Sequence, residues 1–494
     1  MALIRWRPRA LGVILAFSAL AFTAVTAATA GAQLTPIRHV VIIDLENHSF
    51  DNVLGLWCAQ NTARCQSASG AYVGMPAHVT LSNGAVVLPY GSPGQPVMPD
   101  VVPTVSHTVA SQLAAMNIVR GVPQMNGWQN EHHTSCAATT SPPYQCVGGY
   151  RPGQVPNITA LASQFAMSDT TFSMADSPSW GGHLYLAMAS LDGFTGDNPC
   201  LPHGSCSSTV GGWGCDSGRL AAWLAPSGKR MPVPSCVPDY ALGLPNGGAF
   251  EPTPVPYHKT IFDELDQAGL PWKIYGAAQR SDNGYKWAIC PSFAECLNTR
   301  QKSNLVDASR FSMDAAAGKL PAFSIVTGGG AGSLAADSCH NGLSMTACDN
   351  YIGRLVRAVQ YLPCSVPPCP VNPLWSSTAI FITMDDYGGF YDSVPPGTNA
   401  DRTRQGPRVP LIIVSPYAKA RYTDTTPTTT AGVLAYVERN FGLGALSPND
   451  AQAYAFTNAF DYSQVPLPPE VVRLVHRSPA TGEHIDWAAT REAS

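Results

Sequence analysis

Charge is scarce in this chain. Asp, Glu, Lys and Arg make up 13% of its 494 residues, against roughly a quarter in an ordinary globular domain. The formal net charge is −4, and no basic field exists to follow a phosphate backbone, so neither DNA nor RNA is an expected partner. After the first thirty or so residues no apolar stretch approaches the about 20 residues of a membrane-spanning helix. Internal repeats, charge runs and low-complexity linkers are also missing, so residues 33–494 are expected to form one domain. None of the cysteine spacings offers C-x-x-C pairs with histidines in register, which argues against a structural zinc site.

What is present begins with a leader. Arg5, Arg7 and Arg9 precede an uncharged stretch, LGVILAFSALAFTAVTAA, and small residues at Ala30 and Ala32 suit a processing site. Residues 1–32 therefore read as a secretory signal cut in front of Gln33, with a retained membrane anchor as the alternative. Export to a periplasm or out of the cell follows. The fourteen cysteines agree, because they fall into sequential neighbours: 58/65, 136/146, 200/206, 215/236, 290/296, 339/348 and 364/369. An even set at short spacing predicts local disulfides that pin loops.

Apolar, β-branched runs at 37–45, 322–327, 378–384 and 409–415, with a shorter one at 272–275, read as buried strands. Between them, 260–269, 349–362 and 430–442 carry helical periodicity. Strands alternating with helices predict an α/β protein, a three-layer αβα sandwich around a mostly parallel sheet. With 44 glycines and 43 prolines the chain is rich in turns, and the stretches 74–103, 199–256 and 363–373 read as insertions over that core.

Two of the predicted strands end in acidic motifs. DLENHSFDN, residues 44–52, sets Glu46 and Asn47 side by side as hard oxygen ligands, where open sheets tend to bind ligands. TMDDYGGFYD, residues 383–392, places Asp385 beside Asp386, and adjacent acids repel unless a cation or a proton intervenes. Both segments have ordinary readings, as caps and as a solvated turn.

Together these motifs resemble the phosphoesterase family of bacterial phospholipases C and acid phosphatases, within the alkaline-phosphatase-like superfamily. The opening signature, close to E-N-R-S-F-D, is matched by Glu46 to Asp51, and the late one, D-[DE]-x-G-G-F-Y-D, by Asp385 to Asp392. MNGW (125–128), SPSWGGHLYL (177–186), PWKIYG (271–276), GPRVPLIIVSPYA (406–418), VERNFG (437–442) and AFDYS (459–463) extend the likeness over roughly 38–463, in order. A family nucleophile in a P-[ST]-x-P-N-[RH]-L-Y-L context corresponds to Ser179. Ser179 also stands just before an apolar helical stretch, where free backbone N–H groups are expected to receive phosphate oxygens. Gly181-Gly182 replaces the usual Pro-Asn pair.

The resemblance implies that Glu46, Asn47, Ser179, Asp385 and Asp386 bind one divalent metal ion and that Ser179 forms a phosphoseryl intermediate. Ligands that are all oxygens favour Ca²⁺ or Mg²⁺, although superfamily relatives often use Zn²⁺. It also assigns His107 and His340 to proton transfer and to positive charge for the transition state. Histidines usual in the family are missing from 282–296 and 423–430, and His132 and His133 are candidate substitutes. Trp128, Trp180, Trp213 and Tyr387 are candidates for an aromatic cage around a choline head group. The expected substrate is a phosphate monoester or a phospholipid, the latter met by transient contact with a membrane surface. No sulfatase nucleophile, Cys-x-Pro-x-Arg or Ser-x-Pro-x-Arg, occurs. A secreted binding protein on the same fold, without catalysis, is the alternative from another class.

Overall fold

The run at 37–45 forms strand β1 (His39–Leu45), buried from Val40 onward. Burial on both faces is what helices on either side of a parallel sheet impose. Seven further strands complete the sheet: β2 (Ala166–Ser168), β3 (Trp272–Gly276), β4 (Leu305–Asp307), β5 (Phe323–Thr327), β6 (Thr378–Met384), β7 (Leu411–Val414) and β8 (Tyr422–Asp424). Their order is β4-β3-β5-β1-β6-β7-β2-β8. β1 is parallel to both β5 and β6, and β3 to β4 and β5. β7 alone is reversed, antiparallel to β6 and to β2, while β8 again runs parallel to β2. All five expected strands are present. β2, β4 and β8, three residues each, are too short to leave a periodic signal.

This computed structural model describes residues 1–2, 35–130, 136–202, 211–240, 253–329, 337–469, 475–477 and 484–485. The predicted leader lies almost wholly outside them. No described helix is long and apolar enough to cross a membrane.

Helices form two layers. Pro156–Gln164 and Arg310–Ala316 each pack on Met345–Gln360, and separately Ser179–Met188 packs on Ile261–Gln267 and Ala431–Phe441. Their ends follow local chemistry. Thr260 and Asp263 form a reciprocal capping box at the start of Ile261–Gln267. Ser344 accepts from the Ala347 N–H, which starts the helix predicted at 349–362 four residues earlier, at Met345.

The insertions add small antiparallel pieces: a hairpin of Val79–Thr80 with Val86–Val87, and a sheet of Phe194–Cys200, Leu220–Leu224 and Arg230–Pro234. Six of the sequential disulfides form: 58–65, 136–146, 215–236, 290–296, 339–348 and 364–369. Cys200 is also disulfide-bonded, and Cys206 lies outside the described residues.

Candidate active site

The register of the sheet brings the two acidic motifs together. Leu45 is paired with Met384, the last residues of β1 and β6, so Glu46 and Asp385 leave neighbouring strands at one level. The Asp385 N–H donates to the Leu45 carbonyl at 2.9 Å, and the Asn47 N–H to Asp385 Oδ1 at 2.9 Å. Asn47 takes a left-handed conformation, φ 65°, which asparagine tolerates better than most residues. The glycine turn of the late motif lies against it. A Cβ on Gly388 would stand 1.9 Å from the Asn47 carbonyl oxygen.

Ser179 arrives on a third segment as the first residue of helix Ser179–Met188. Its Oγ lies 3.1 Å from Asn47 Oδ1 and 3.3 Å from Asp386 Oδ2. Glu46, Asn47, Ser179, Asp385 and Asp386 are all buried, so the five expected ligands meet in one place. Gly182 permits this approach, since a Cβ there would lie 2.4 Å from the Asp385 carbonyl oxygen.

The helix terminus offers fewer free donors than expected. Trp180 N–H donates to Asn198 Oδ1 at 2.9 Å, and those of Gly181 and Gly182 donate to the Pro178 carbonyl at 2.8 and 3.2 Å. A tight first turn and a side chain from the Phe194–Cys200 strand have consumed them.

His183, one helical turn beyond Ser179, is the site residue that sequence reasoning passed over. Spacing of four places both on one helix face, which was the available signal. Its Nδ1 is 2.9 Å from Asp44 Oδ2, its Nε2 2.8 Å from Glu46 Oε1 and 4.0 Å from Asp385 Oδ2. Glu46, His183 and Asp385 form a group able to hold a metal ion, with ligand atoms within 4.8 Å of one another. With both nitrogens bonded to carboxylates, His183 stands beside the oxygen ligands as a brace rather than as one of them.

Electrostatics give the same reading. Burial, followed by the charges of Glu46 and Asp386, holds the Asp385 carboxyl well above its ordinary range. Burial likewise raises Asp386 and Asp44. Desolvation opposes ionisation of Glu46 as well, but the hydrogen bond and charge of His183 outweigh it and bring that carboxyl down. For His183 desolvation works against the charged form, and its bonds to Asp44 and Glu46 prevail, leaving an imidazolium. Asp385 Oδ2 accepts no hydrogen bond among the described residues. A crowded set of buried carboxylates with an unused oxygen has the chemistry of a cation site, and the residues fit a divalent ion.

His107 and His340 border the cluster as neighbours, their ring centroids 6.3 Å apart. The charge of His107 acts on Asp386 and that of Glu46 on His340. Desolvation pushes the His340 imidazole down to about 4, with Lys286 and His107 adding to it against the pull of Glu46. Burial thus favours the neutral ring of His340. Its Nδ1 lies 2.9 Å from the Asn341 carbonyl, which assigns the proton to Nδ1 and leaves Nε2 as an acceptor. His132 and His133 lie outside the described residues. His48 serves structure: its ring stacks on Phe390 at 5.2 Å and bonds Asn52 and the Cys339 carbonyl, joining both motifs to the His340 loop.

The aromatic cage does not form. Trp128 packs edge to face on Tyr387 at 6.1 Å, and both are fully buried. Trp180 packs on Phe194 at 4.9 Å, and Trp213 is 5% exposed. Residues this deep in the core have no face left for a head group.

Among curated proteins the chain is similar to non-specific phospholipase C1 of Arabidopsis thaliana, 24% identical over 77% of this chain and 61% of that protein. It is also 24% identical to the non-hemolytic phospholipase C of Burkholderia pseudomallei, over 86% of this chain and 59% of that protein. The chain thus spans about three fifths of the length of these two relatives. A solved structure of a protein in the alkaline phosphatase superfamily from Vibrio parahaemolyticus covers 66% of this chain and 67% of its own at 11% identity, with a TM-score of 0.29. The family model described as the Phosphoesterase family matches residues 37–444, and the chain belongs to that family.

Proposed function

We propose that this protein hydrolyses phosphoric esters with Ser179 as nucleophile and one divalent metal ion held by Glu46, Asn47, Ser179, Asp385 and Asp386. The observation that carries the reading is the position of Ser179 Oγ, 3.1 Å from Asn47 Oδ1 and 3.3 Å from Asp386 Oδ2, inside a buried carboxylate cluster. His183 braces Glu46 and Asp44 from the nucleophile's own helix. The oxygen donors favour Ca²⁺ or Mg²⁺, while zinc would need His183 to give up its bond to Glu46 and its proton.

When bound, such a cation eases ionisation of the serine hydroxyl and neutralises phosphoryl oxygens. Ser179 Oγ attacks phosphorus, the bond from phosphorus to the leaving alcohol breaks, and the alcohol departs with a proton. Water then attacks the phosphoserine and releases the phosphate product while Ser179 recovers its proton. We assign the movement of these protons to His107 and His340, whose rings are 6.3 Å apart and which interact electrostatically with Asp386 and Glu46. The names of the relatives favour a phospholipid, approached at a membrane surface, over a monoester. The disulfides support a chain that works in an exported, oxidising setting.

The test is purified protein assayed with p-nitrophenyl phosphate and p-nitrophenyl phosphorylcholine, with and without chelator. Turnover that chelator abolishes and Ser179→Ala removes is expected. Full activity in Ser179→Ala would sink the mechanism, and turnover of neither ester would favour the non-catalytic reading.

A further inference from the structure

We infer that Asn198 is a phosphate-binding residue of this site, its side-chain amide donating to a non-bridging oxygen of the ester that Ser179 attacks. This rests on the phosphoesterase reading above.

The orientation of the amide comes first. Asn198 Oδ1 accepts from the Trp180 N–H at 2.9 Å, and Trp180 follows the nucleophile directly in the chain. Only the oxygen of a carboxamide can meet an N–H, so this bond settles which end is which. The NH₂ group, fixed beside that oxygen on one planar amide, is therefore held at the first turn of the nucleophile helix. No described residue accepts a hydrogen bond from it. Asn198 is half-buried, which leaves this donor open to a ligand.

The strand Phe194–Cys200 then places Asn198 between groups of the proposed chemistry. It packs against helix Ser179–Met188. The Gly196 N–H donates to the Asp176 carbonyl at 2.8 Å, in the segment that leads to the nucleophile. Asp197 Oδ1 accepts from the Val109 N–H at 2.8 Å, just beyond His107. Consecutive residues thus reach the segment of Ser179 and the segment of His107, with Asn198 at the join. Pro199 restricts Asn198 to extended backbone, and the Sγ of disulfide-bonded Cys200 lies 3.3 Å from the Asn198 carbonyl. A donor supported in this way needs no rearrangement as charge develops on phosphorus oxygens.

A carboxamide also suits its surroundings. Asp44, Glu46, Asp385 and Asp386 are four buried carboxylates. A lysine or arginine beside them would be drawn into ion pairs, and an aspartate would repel the phosphate. A neutral donor does neither. His183 has committed one nitrogen to Asp44 and the other to Glu46, and the N–H groups of Gly181 and Gly182 donate to the Pro178 carbonyl, so those groups are spent.

The test compares Asn198→Ala and Asn198→Asp with the wild type, all metal-loaded, on whichever p-nitrophenyl ester the wild type turns over. Asn198→Ala is expected to lower kcat about 100-fold, the usual worth of one such donor. Asn198→Asp keeps the acceptor for the Trp180 N–H and should not recover the loss. When sulfur, a weaker acceptor, replaces a non-bridging oxygen of the ester, Asn198→Ala should lose much less than it does on the oxygen ester. Inorganic phosphate, followed by calorimetry, should bind Asn198→Ala about tenfold more weakly, with bound metal and Tm unchanged. Equal losses on the two esters, full activity in Asn198→Asp, or unchanged phosphate affinity in Asn198→Ala would each overturn the inference and leave Asn198 as a cap on the helix. Absence of ester turnover in the wild type would defeat the phosphoesterase reading, while the phosphate titration would still report whether Asn198 binds the anion.

Discussion

His183 Nε2 lies 2.8 Å from Glu46 Oε1, and the opposite nitrogen of the same ring reaches Asp44 at 2.9 Å. A ring held at both ends cannot rotate, so the helix that carries Ser179 is tied by charge to Asp44 on β1 and to Glu46 just beyond it. Groups that orient metal ligands in this way typically contribute about 10–100-fold to metal affinity. His183→Gln, which keeps one hydrogen bond and loses the charge, is expected to weaken metal binding by about that factor. Competition with a chelator of known affinity measures it. Unchanged affinity in a folded variant would reduce His183 to a core residue.

Gly182→Ala tests how closely the nucleophile helix must approach. By helix propensity alone, alanine is better than glycine by about 1 kcal/mol. Here its Cβ would meet the Asp385 carbonyl oxygen at 2.4 Å and the carbonyl carbon at 2.9 Å. Those are backbone atoms that no rotamer change can move, and overpacking of this kind costs about 1–3 kcal/mol. Sterics should win: a lower Tm, and a fall in kcat/KM as Asp385 is displaced. A higher Tm would show that the backbones have room.

How much of this was legible in the sequence follows from the range of each signal. Strands β1, β3, β5, β6 and β7 announced themselves through apolar runs, because burial on both faces demands them. The reversal of β7 did not, since hydrophobic pattern carries no direction. Glu46, Asn47, Ser179, Asp385 and Asp386 were found as motif residues, and their meeting depends on the pairing of Leu45 with Met384, which only the fold sets. His183 was missed because it acts through distant partners: a His in an apolar helix looks ordinary until Asp44 and Glu46 close on its ring. The aromatic residues failed in the opposite way, their chemistry being right for a cage and their places being in the core.

Arg408 provides a second clamp between the two motifs. Fully buried, it donates through Nε to Asp392 at 2.8 Å, stands 3.3 Å from Asp51, and lies over the Phe50 ring at 4.4 Å. Asp51 belongs to the opening motif and Asp392 to the late one. Arg408→Met would leave both carboxylates facing each other without compensation, a change that typically costs about 3–5 kcal/mol. Urea unfolding should show a loss of that order, partly recovered in Arg408→Met combined with Asp392→Asn. No recovery in the double variant would mean that lost packing, not stranded charge, is the cause.

Stability should also fall as pH rises through neutrality, with Asp169 as one source. This carboxyl is fully buried, and desolvation holds it at about 7, helped by Asp424 and opposed by the Arg408 guanidinium. In the unfolded chain it titrates near the ordinary aspartate value of about 3.9. Between those two points the unfolded chain has released a proton that the folded one keeps, so raising the pH draws the equilibrium toward unfolding. The contribution is whole below the unfolded value, declines up to about 7, and is constant above it. Glu295, at about 7, and Glu438, at about 9, are raised by burial and act in the same sense, so removing Asp169 reduces the slope without abolishing it. Asp169→Asn resembles the protonated acid. Its urea midpoint should exceed that of the wild type by a small margin at pH 5 and by a larger one at pH 8, with metal saturating throughout. An equal offset between the two proteins at both pH values would show that Asp169 does not change its charge across this range.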